Sequence, residues 1–380
     1  MASIYLHIPF CEHKCIYCDF YSIESLDPIE TFIIALKKEI FAYAHFGKKE
    51  VIETIFFGGG TPSLLSPATI VELIDLLSGI FSIQQDAEIT LETNPGTVNR
   101  EKLDGFRGAG INRLSFGVQS FFDDDLRFLT RIHTAEQAKH NIRLARELGF
   151  RNINLDLIFA LPNQTPGRWE DNLRQAIELE TDHISAYSLI VEKGTPLARM
   201  VVAKQVSPLP LSTEAEMYEF TMEYLRNAGF EHYEVSNYAK PGFRSRHNNN
   251  YWNHSHYLGF GPSAHSFWDR RRWWNVRNLD TYCKKLSCDQ LPISGEEHLT
   301  PEQYLHEAIM LGLRSNGIHL DRLQSEHGID LVGAHRSTIE SLISEHLLVY
   351  DSRRLSVTEK GYLLCDEISR ILVAQLSCAA

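Results

Sequence analysis

The chain has 380 residues, enough for a large buried core, and its 43% hydrophobic and 23% charged residues are ordinary for a water-soluble globular protein. A net charge of −12 weighs against a general nucleic-acid binder, which needs a basic face. No apolar run reaches the length of a membrane span.

The N-terminus, Met1-Ala2-Ser3-Ile4, carries no basic segment or apolar signal region, so a mature chain beginning directly with a strand is expected. That strand, at 3–8, ends at Pro9 and runs into Cys11-x-x-x-Cys15-x-x-Cys18. Thiolates so close in sequence serve to converge on a soft metal centre. Three are present rather than the four that close a structural zinc site or a typical iron–sulfur cluster. His13 lies inside the loop but is too constrained by its neighbours to act as a ligand. The other cysteines, Cys283, Cys288, Cys365 and Cys378, are scattered, and an odd total fits a reducing, cytoplasmic setting.

Apolar, β-branched runs recur at 51–57, 87–92, 112–118, 151–158 and 183–190. Helix-period segments separate them at 29–46, 67–81, 98–107, 135–148 and 168–179. Alternation of this kind predicts parallel strands joined by right-handed crossovers. Six such units are too few for an eight-stranded barrel, so an open, partial (β/α)6 barrel is expected over residues 1–235. Ligands of parallel α/β folds bind at the carboxyl ends of the strands. The second run ends in Gly58-Gly59-Gly60-Thr61-Pro62, where the backbone can approach a ligand closely. The third ends at Glu92 and the fourth at Gln119; Arg131 follows a short helix, and Asp156 lies inside the fifth. An unpaired carboxylate in a buried strand costs several kcal/mol, so Asp156 needs a partner, and Arg131 is the natural one.

Residues 213–228 read as an amphipathic helix. An aromatic and arginine-rich connecting segment is expected over 236–298. It holds His247-Asn248-Asn249-Asn250-Tyr251-Trp252, with Trp268, Trp273 and Trp274 interleaved with six arginines. One reading makes it a haem-binding surface, with an axial imidazole, apolar faces and cations for the propionates. The other makes it a structural lid. Such segments also bind single-stranded nucleic acid, which the acidic remainder of the chain disfavours. Residues 299–380 read as a smaller, mainly helical, winged-helix-like domain: helices at 301–314, 320–327 and 331–346, a hairpin of Leu347–Tyr350 and Arg354–Val357, and a final helix. Without a basic recognition stripe, this module is expected to pack or dock rather than bind DNA.

The three-cysteine loop resembles the signature of the radical S-adenosylmethionine (SAM) superfamily, in which three thiolates leave one iron of a 4Fe-4S cluster open to SAM. Tyr5-Leu6-His7-Ile8-Pro9-Phe10-Cys11, Gly58–Pro62 and Gly117-Val118-Gln119-Ser120-Phe121 resemble the oxygen-independent coproporphyrinogen III oxidase family within it. The His-Asn-x-x-Tyr-Trp run is similar to that of the HemW branch of proposed haem chaperones.

The resemblance implies cluster ligation by Cys11, Cys15 and Cys18. It places Tyr5, Tyr17, Gly59, Gly60, Thr61, Glu92, Gln119, Arg131 and Asp156 at SAM-contacting positions, and makes His247 the candidate haem contact. The implied partners are haem and apo-haem acceptor proteins, not nucleic acid; peripheral membrane association and a homodimer stay open. The oxidases carry a further cysteine two residues past the third, where this chain has Phe20, and a longer segment before the first strand. The expected function is therefore haem transfer. The alternatives are oxidative decarboxylation of coproporphyrinogen III, or radical SAM chemistry on another substrate.

Overall fold

The computed structural model describes residues 1–47 and 49–376. Six strands form the centre: β1 (Ala2–Ile8), β2 (Val51–Gly59), β3 (Ser82–Thr93), β4 (Arg113–Gln119), β5 (Ile153–Phe159) and β6 (His183–Ser188). They lie side by side in that order, all parallel. Between them run α1 (Ile29–Ala42), α2 (Pro67–Ile80), α3 (Arg100–Gly108), α4 (Asp123–Phe128), α5 (Ala135–Glu147) and α6 (Pro166–Glu178). The expected partial (β/α)6 barrel is present. Side chains two apart share a face: Ile4, Leu6 and Ile8 of β1 join the apolar layer beneath the helices, whereas Ser3, Tyr5 and His7 face the interior.

Local chemistry fixes the helix ends. Ser66 Oγ accepts from Thr69 N at 3.1 Å ahead of Pro67, and Thr134 with Gln137 forms a capping box. Helix α6 begins at 166, not at the expected 168, because Thr165 accepts from Arg168 N and Pro166 occupies the first helical position.

Residues beyond the barrel form ordered strands and helices that pack on it. After α7 (Pro196–Val202) and α8 (Leu211–Asn227) come β7 (Glu231–Glu234), β8 (Asn237–Ala239) and the short α9 (Arg246–Trp252). Then follow β9 (His256–Phe260), β10 (His265–Trp268), β11 (Arg271–Asn275), α10 (Leu279–Ser287) and β12 (Ile293–His298). These strands extend the same sheet on both sides, in the order β12-β11-β10-β9-β1-β2-β3-β4-β5-β6-β8-β7. The tryptophans are core and ladder residues: Trp268 and Trp273 are buried, and Trp273 Nε1 donates to Tyr43 Oη at 2.9 Å. Most of the arginines are engaged. Arg271 pairs with Glu296, Arg272 with Glu297 and Glu307, Arg244 with Glu231, and Arg277 donates to Asp19 O.

A second apolar core gathers Leu305, Ile309, Leu313, Leu323, Ile339, Leu355 and Leu372. It comprises α11 (Pro301–Leu313), β13 (Ile318–His319), α12 (Leu320–His327), α13 (Leu331–Ala334), α14 (Arg336–Ser344), β14 (Leu348–Tyr350), β15 (Arg354–Val357), α15 (Glu359–Tyr362) and α16 (Cys365–Leu376). The wing has three strands, β13-β15-β14, rather than two. The two residues of β13 are too few to show a period in sequence.

Candidate functional site

The three cysteines sit in the loop that leaves β1. Cys11 N donates to Ile23 O at 3.0 Å, Ile23 N to Pro9 O at 2.8 Å and Cys18 N to Cys15 O at 3.2 Å, folding the loop back on itself. Gly60 N and Thr61 N bond Ile8 O and Phe10 O at 2.8 and 2.7 Å, clamping the loop to the end of β2. This clamp demands glycine. Gly59 has φ +109°, and a Cβ there would stand 2.6 Å from the His7 ring; one on Gly60 would stand 2.6 Å from Phe10 O. His13 turns outward to Glu24, 3.1 Å away.

Cys15 is buried, and Cys11 and Cys18 are half-buried. Burial pushes the Cys18 thiol up to about 11 and raises that of Cys11, so both favour the neutral form unless a cation compensates the thiolate. Donors already point at the sulfurs: Thr61 Oγ1 lies 3.6 Å from Cys11 Sγ, and Arg131 Nη1 lies 3.4 Å from Cys15 Sγ. Among the described residues, no three His, Cys, Asp or Glu side chains converge tightly enough to hold a single metal ion. Three thiolates in one loop would hold an iron–sulfur cluster with each sulfur on its own iron.

Of the remaining predicted residues, Gly59, Glu92 and Gln119 lie at the carboxyl ends of β2, β3 and β4, while Tyr5 and Asp156 stand midway along β1 and β5. Glu92 accepts from Gly59 N at 3.0 Å. Burial first, then the neighbouring Asp156, pushes its carboxyl up to about 8. Asp156 is raised by burial too, against hydrogen bonds from Ser185, Asn154 and Ser115. Two carboxyls held in this state suit a cationic ligand, whose charge would favour ionisation of both. Gln119 ends β4 at φ +68°, strain of the kind held at ligand sites. Tyr5 projects into the interior with its hydroxyl 3.1 Å from His7 Nδ1, and Tyr17 stands beside Arg131.

Two expectations change. Asp156 and Arg131 do not pair: Asn154 Nδ2 and Ser115 Oγ donate to Asp156 at 2.8 and 3.2 Å, whereas Arg131 Nη2 donates to Gly117 O at 2.7 Å. Asn154 shares Asp156's face of β5 at a spacing of two, Ser115 reaches it from β4, and the buried Arg113 supplies a favourable charge. Ser115, Asn154 and Ser185 were missed in sequence, although stepping by two from Gly117 and Asp156 would have found the first two. His247 is likewise not on an open surface. It is 1% exposed and lies toward the strands' starting ends, with Nδ1 2.7 Å from Thr54 Oγ1 and Nε2 3.0 Å from Tyr251 Oη. Its ring stacks on Phe56, and Glu88 accepts from the backbone N–H groups of Arg246 and His247, both at 3.1 Å.

Fold and site together define a radical SAM protein: a partial (β/α)6 barrel with a three-cysteine loop after its first strand. Residues 5–176 match the radical SAM superfamily, and residues 299–364 match the HemN C-terminal domain. The heme chaperone HemW of Bacillus subtilis (strain 168) is 37% identical, the match covering 99% of this chain and all of the relative. That of Escherichia coli (strain K12) is 40% identical over 69% of each chain. Zebrafish radical S-adenosyl methionine domain-containing protein 1, mitochondrial, is 32% identical over 99% of this chain and 87% of its own. The solved coproporphyrinogen III oxidase (HemN) of Escherichia coli shares the fold at 24% identity, with a TM-score of 0.84 over 98% of this chain and 89% of its own. The chain belongs to the HemW family.

Proposed function

We propose that the protein is a haem chaperone that holds a 4Fe-4S cluster and SAM, binds haem and hands it to apo-acceptor proteins in the cytoplasm. The observation that carries this reading is the end-to-end match to a relative named as a heme chaperone. Cys11, Cys15 and Cys18 would hold three irons of the cluster, and Thr61 and Arg131 tune it through their sulfur contacts. When bound, the cluster supplies an open iron for the amino and carboxylate groups of SAM. The Gly59–Thr61 backbone, Glu92, Gln119 and Asp156 line that pocket, with Tyr5 and Tyr17 at its sides, and the two carboxyls favour the ligand's positive charge. Residues 1–235 and 236–298 work as one body through their shared sheet, and 299–376 forms the second. Among the described residues no helix is long and apolar enough to cross a membrane.

The oxidase reading is favoured by the shared fold and opposed by Phe20, which stands 64% exposed where the oxidases carry a further cysteine. The test is one anaerobically reconstituted preparation, titrated with haem and assayed on coproporphyrinogen III. About four irons per chain, lost when any of the three cysteines becomes alanine, are expected, with haem bound and no product formed. Product above a no-protein control, with no haem bound, would turn the assignment to an oxidase.

A further inference from the structure

A cleft opens where the ends of β5 and β6, the first turns of α8 and the C-terminal module meet. Its free volume is about 320 Å³, within the range of ligand pockets, roughly 300 to 1,000 Å³. Phe159, Leu211, Tyr218, Tyr362 and Leu363 supply apolar walls, and Glu214 stands among them. Ala186 of β6 lines it too, one residue out of step with Ser185, which bonds Asp156 inside the barrel. The cleft therefore lies on the opposite face of β6 from the SAM-facing pocket.

The aromatic walls are fixed. Tyr218 Oη donates to Val235 O at 2.6 Å, Tyr362 Oη donates to Ser315 O at 3.2 Å, and Phe159 stacks with Tyr218 at 6.3 Å and 5°. Burial first, then neighbouring groups that include Glu234, holds both hydroxyls neutral. Glu214 is thus the one charged side chain of the lining. Its half-buried carboxylate accepts from Ser188 Oγ and, among the described residues, pairs with no Lys, Arg or His. Other partly buried carboxylates differ: Asp182 and Glu307 each hold an arginine.

A guanidinium meets both features of this cleft. It is planar, donates in a fork to a carboxylate, stacks on aromatic faces and is weakly hydrated, whereas an ammonium is a strongly hydrated point charge. The rim adds an apolar surface. Leu211 is 82% exposed, and Ile190, two residues beyond Ser188, is 64% exposed. A small cation would leave both in water, and a protein segment would cover them. Arginine and apolar anchors are the groups that carry interface cores. The chain's net charge of −12 also favours the approach of a basic surface. We propose that this cleft is a docking site for a protein partner that inserts an arginine side chain beside Glu214 and lays apolar residues over Leu211 and Ile190. The site holds whether or not the chain carries haem.

The test uses the full chain, cluster-loaded and anaerobic. Fluorescein-labelled dodecapeptides, each with a single arginine flanked by leucine or valine, are followed by anisotropy at about 0.15 M salt, where long-range attraction is screened. The same peptides with neutral citrulline in place of arginine are the controls. Wild type is compared with Glu214→Gln, which keeps an acceptor for Ser188, with Leu211→Ser on the rim and with Ala215→Trp, which fills the cleft. Glu170→Gln, an exposed acidic residue of α6, reports diffuse attraction. Circular dichroism and melting temperature accompany each variant. Arginine peptides should bind wild type and Glu170→Gln alike. Citrulline peptides, and arginine peptides on Glu214→Gln, should bind about tenfold more weakly. Leu211→Ser should weaken binding and Ala215→Trp abolish it. If Ala215→Trp fails to fold, Glu214→Gln and Leu211→Ser decide. A wild type that binds none of the arginine peptides, or binds the citrulline set equally, overturns the proposal. So does a loss in Glu170→Gln equal to that in Glu214→Gln.

Discussion

At the scale of single residues, charge governs the SAM-facing pocket. Glu92 sits near its own midpoint at about 8 because burial and Asp156 both oppose its ionisation. A ligand bearing a sulfonium charge favours the carboxylate, so binding below pH 8 must release a proton from this group. SAM affinity should therefore rise with pH up to about 8 and level off beyond it. Glu92→Gln should lose about tenfold in affinity and flatten that rise, since one unit of pKa is worth about 1.4 kcal/mol. Calorimetry in two buffers of different ionisation enthalpy measures the proton directly. An unchanged pH slope in the variant would remove Glu92 from contact with the ligand.

The short helix α9 carries the sequence motif most suggestive of haem, and its packing gives that motif a second role. Ser245 Oγ accepts from Asn248 N, Glu88 accepts at the helix start, and Asn250 Nδ2 donates to Ser3 Oγ at 2.7 Å. His247 then joins β2 through Thr54 and its own helix through Tyr251. Removing the ring leaves a cavity and two buried hydroxyls short of a partner. His247→Ala should thus cost about 3 kcal/mol in chemical unfolding. A variant as stable as wild type but deficient in haem would instead restore His247 to the cargo site.

Across the whole molecule, the added strands are tied to the barrel through Glu39 of α1. Its fully buried carboxylate accepts from Asn275 Nδ2 at 2.6 Å, Gly261 N at 2.8 Å and Tyr282 Oη at 2.6 Å, joining β11, the turn after β9 and α10. Burial outweighs these donors and pushes the group up to about 7 from its ordinary 4.5. The folded state therefore holds this proton more tightly than the unfolded one. The group's contribution to stability is fully present below about pH 4.5 and is lost as pH rises through about 7, by about 3 kcal/mol in all. Urea unfolding across that window should show the descent in wild type and a flatter profile in Glu39→Gln. Identical slopes would exclude Glu39 as its source.

Sequence by itself determined the barrel, the loop and the strand-end residues, because those signals are local. Period-two apolar strands, helix caps, three closely spaced thiols and a glycine run each act within about ten residues. Family membership could be read the same way, from Tyr5 to Cys11 and from His247 to Trp252. Only the tertiary structure decided partnership. Asp156 bonds Asn154 and Ser115 instead of Arg131, the tryptophan and arginine segment became strands of the main sheet, and His247 turned inward. Each of these outcomes depends on which polar group lies nearest once distant strands and helices pack, and a spacing along the chain carries no record of that distance.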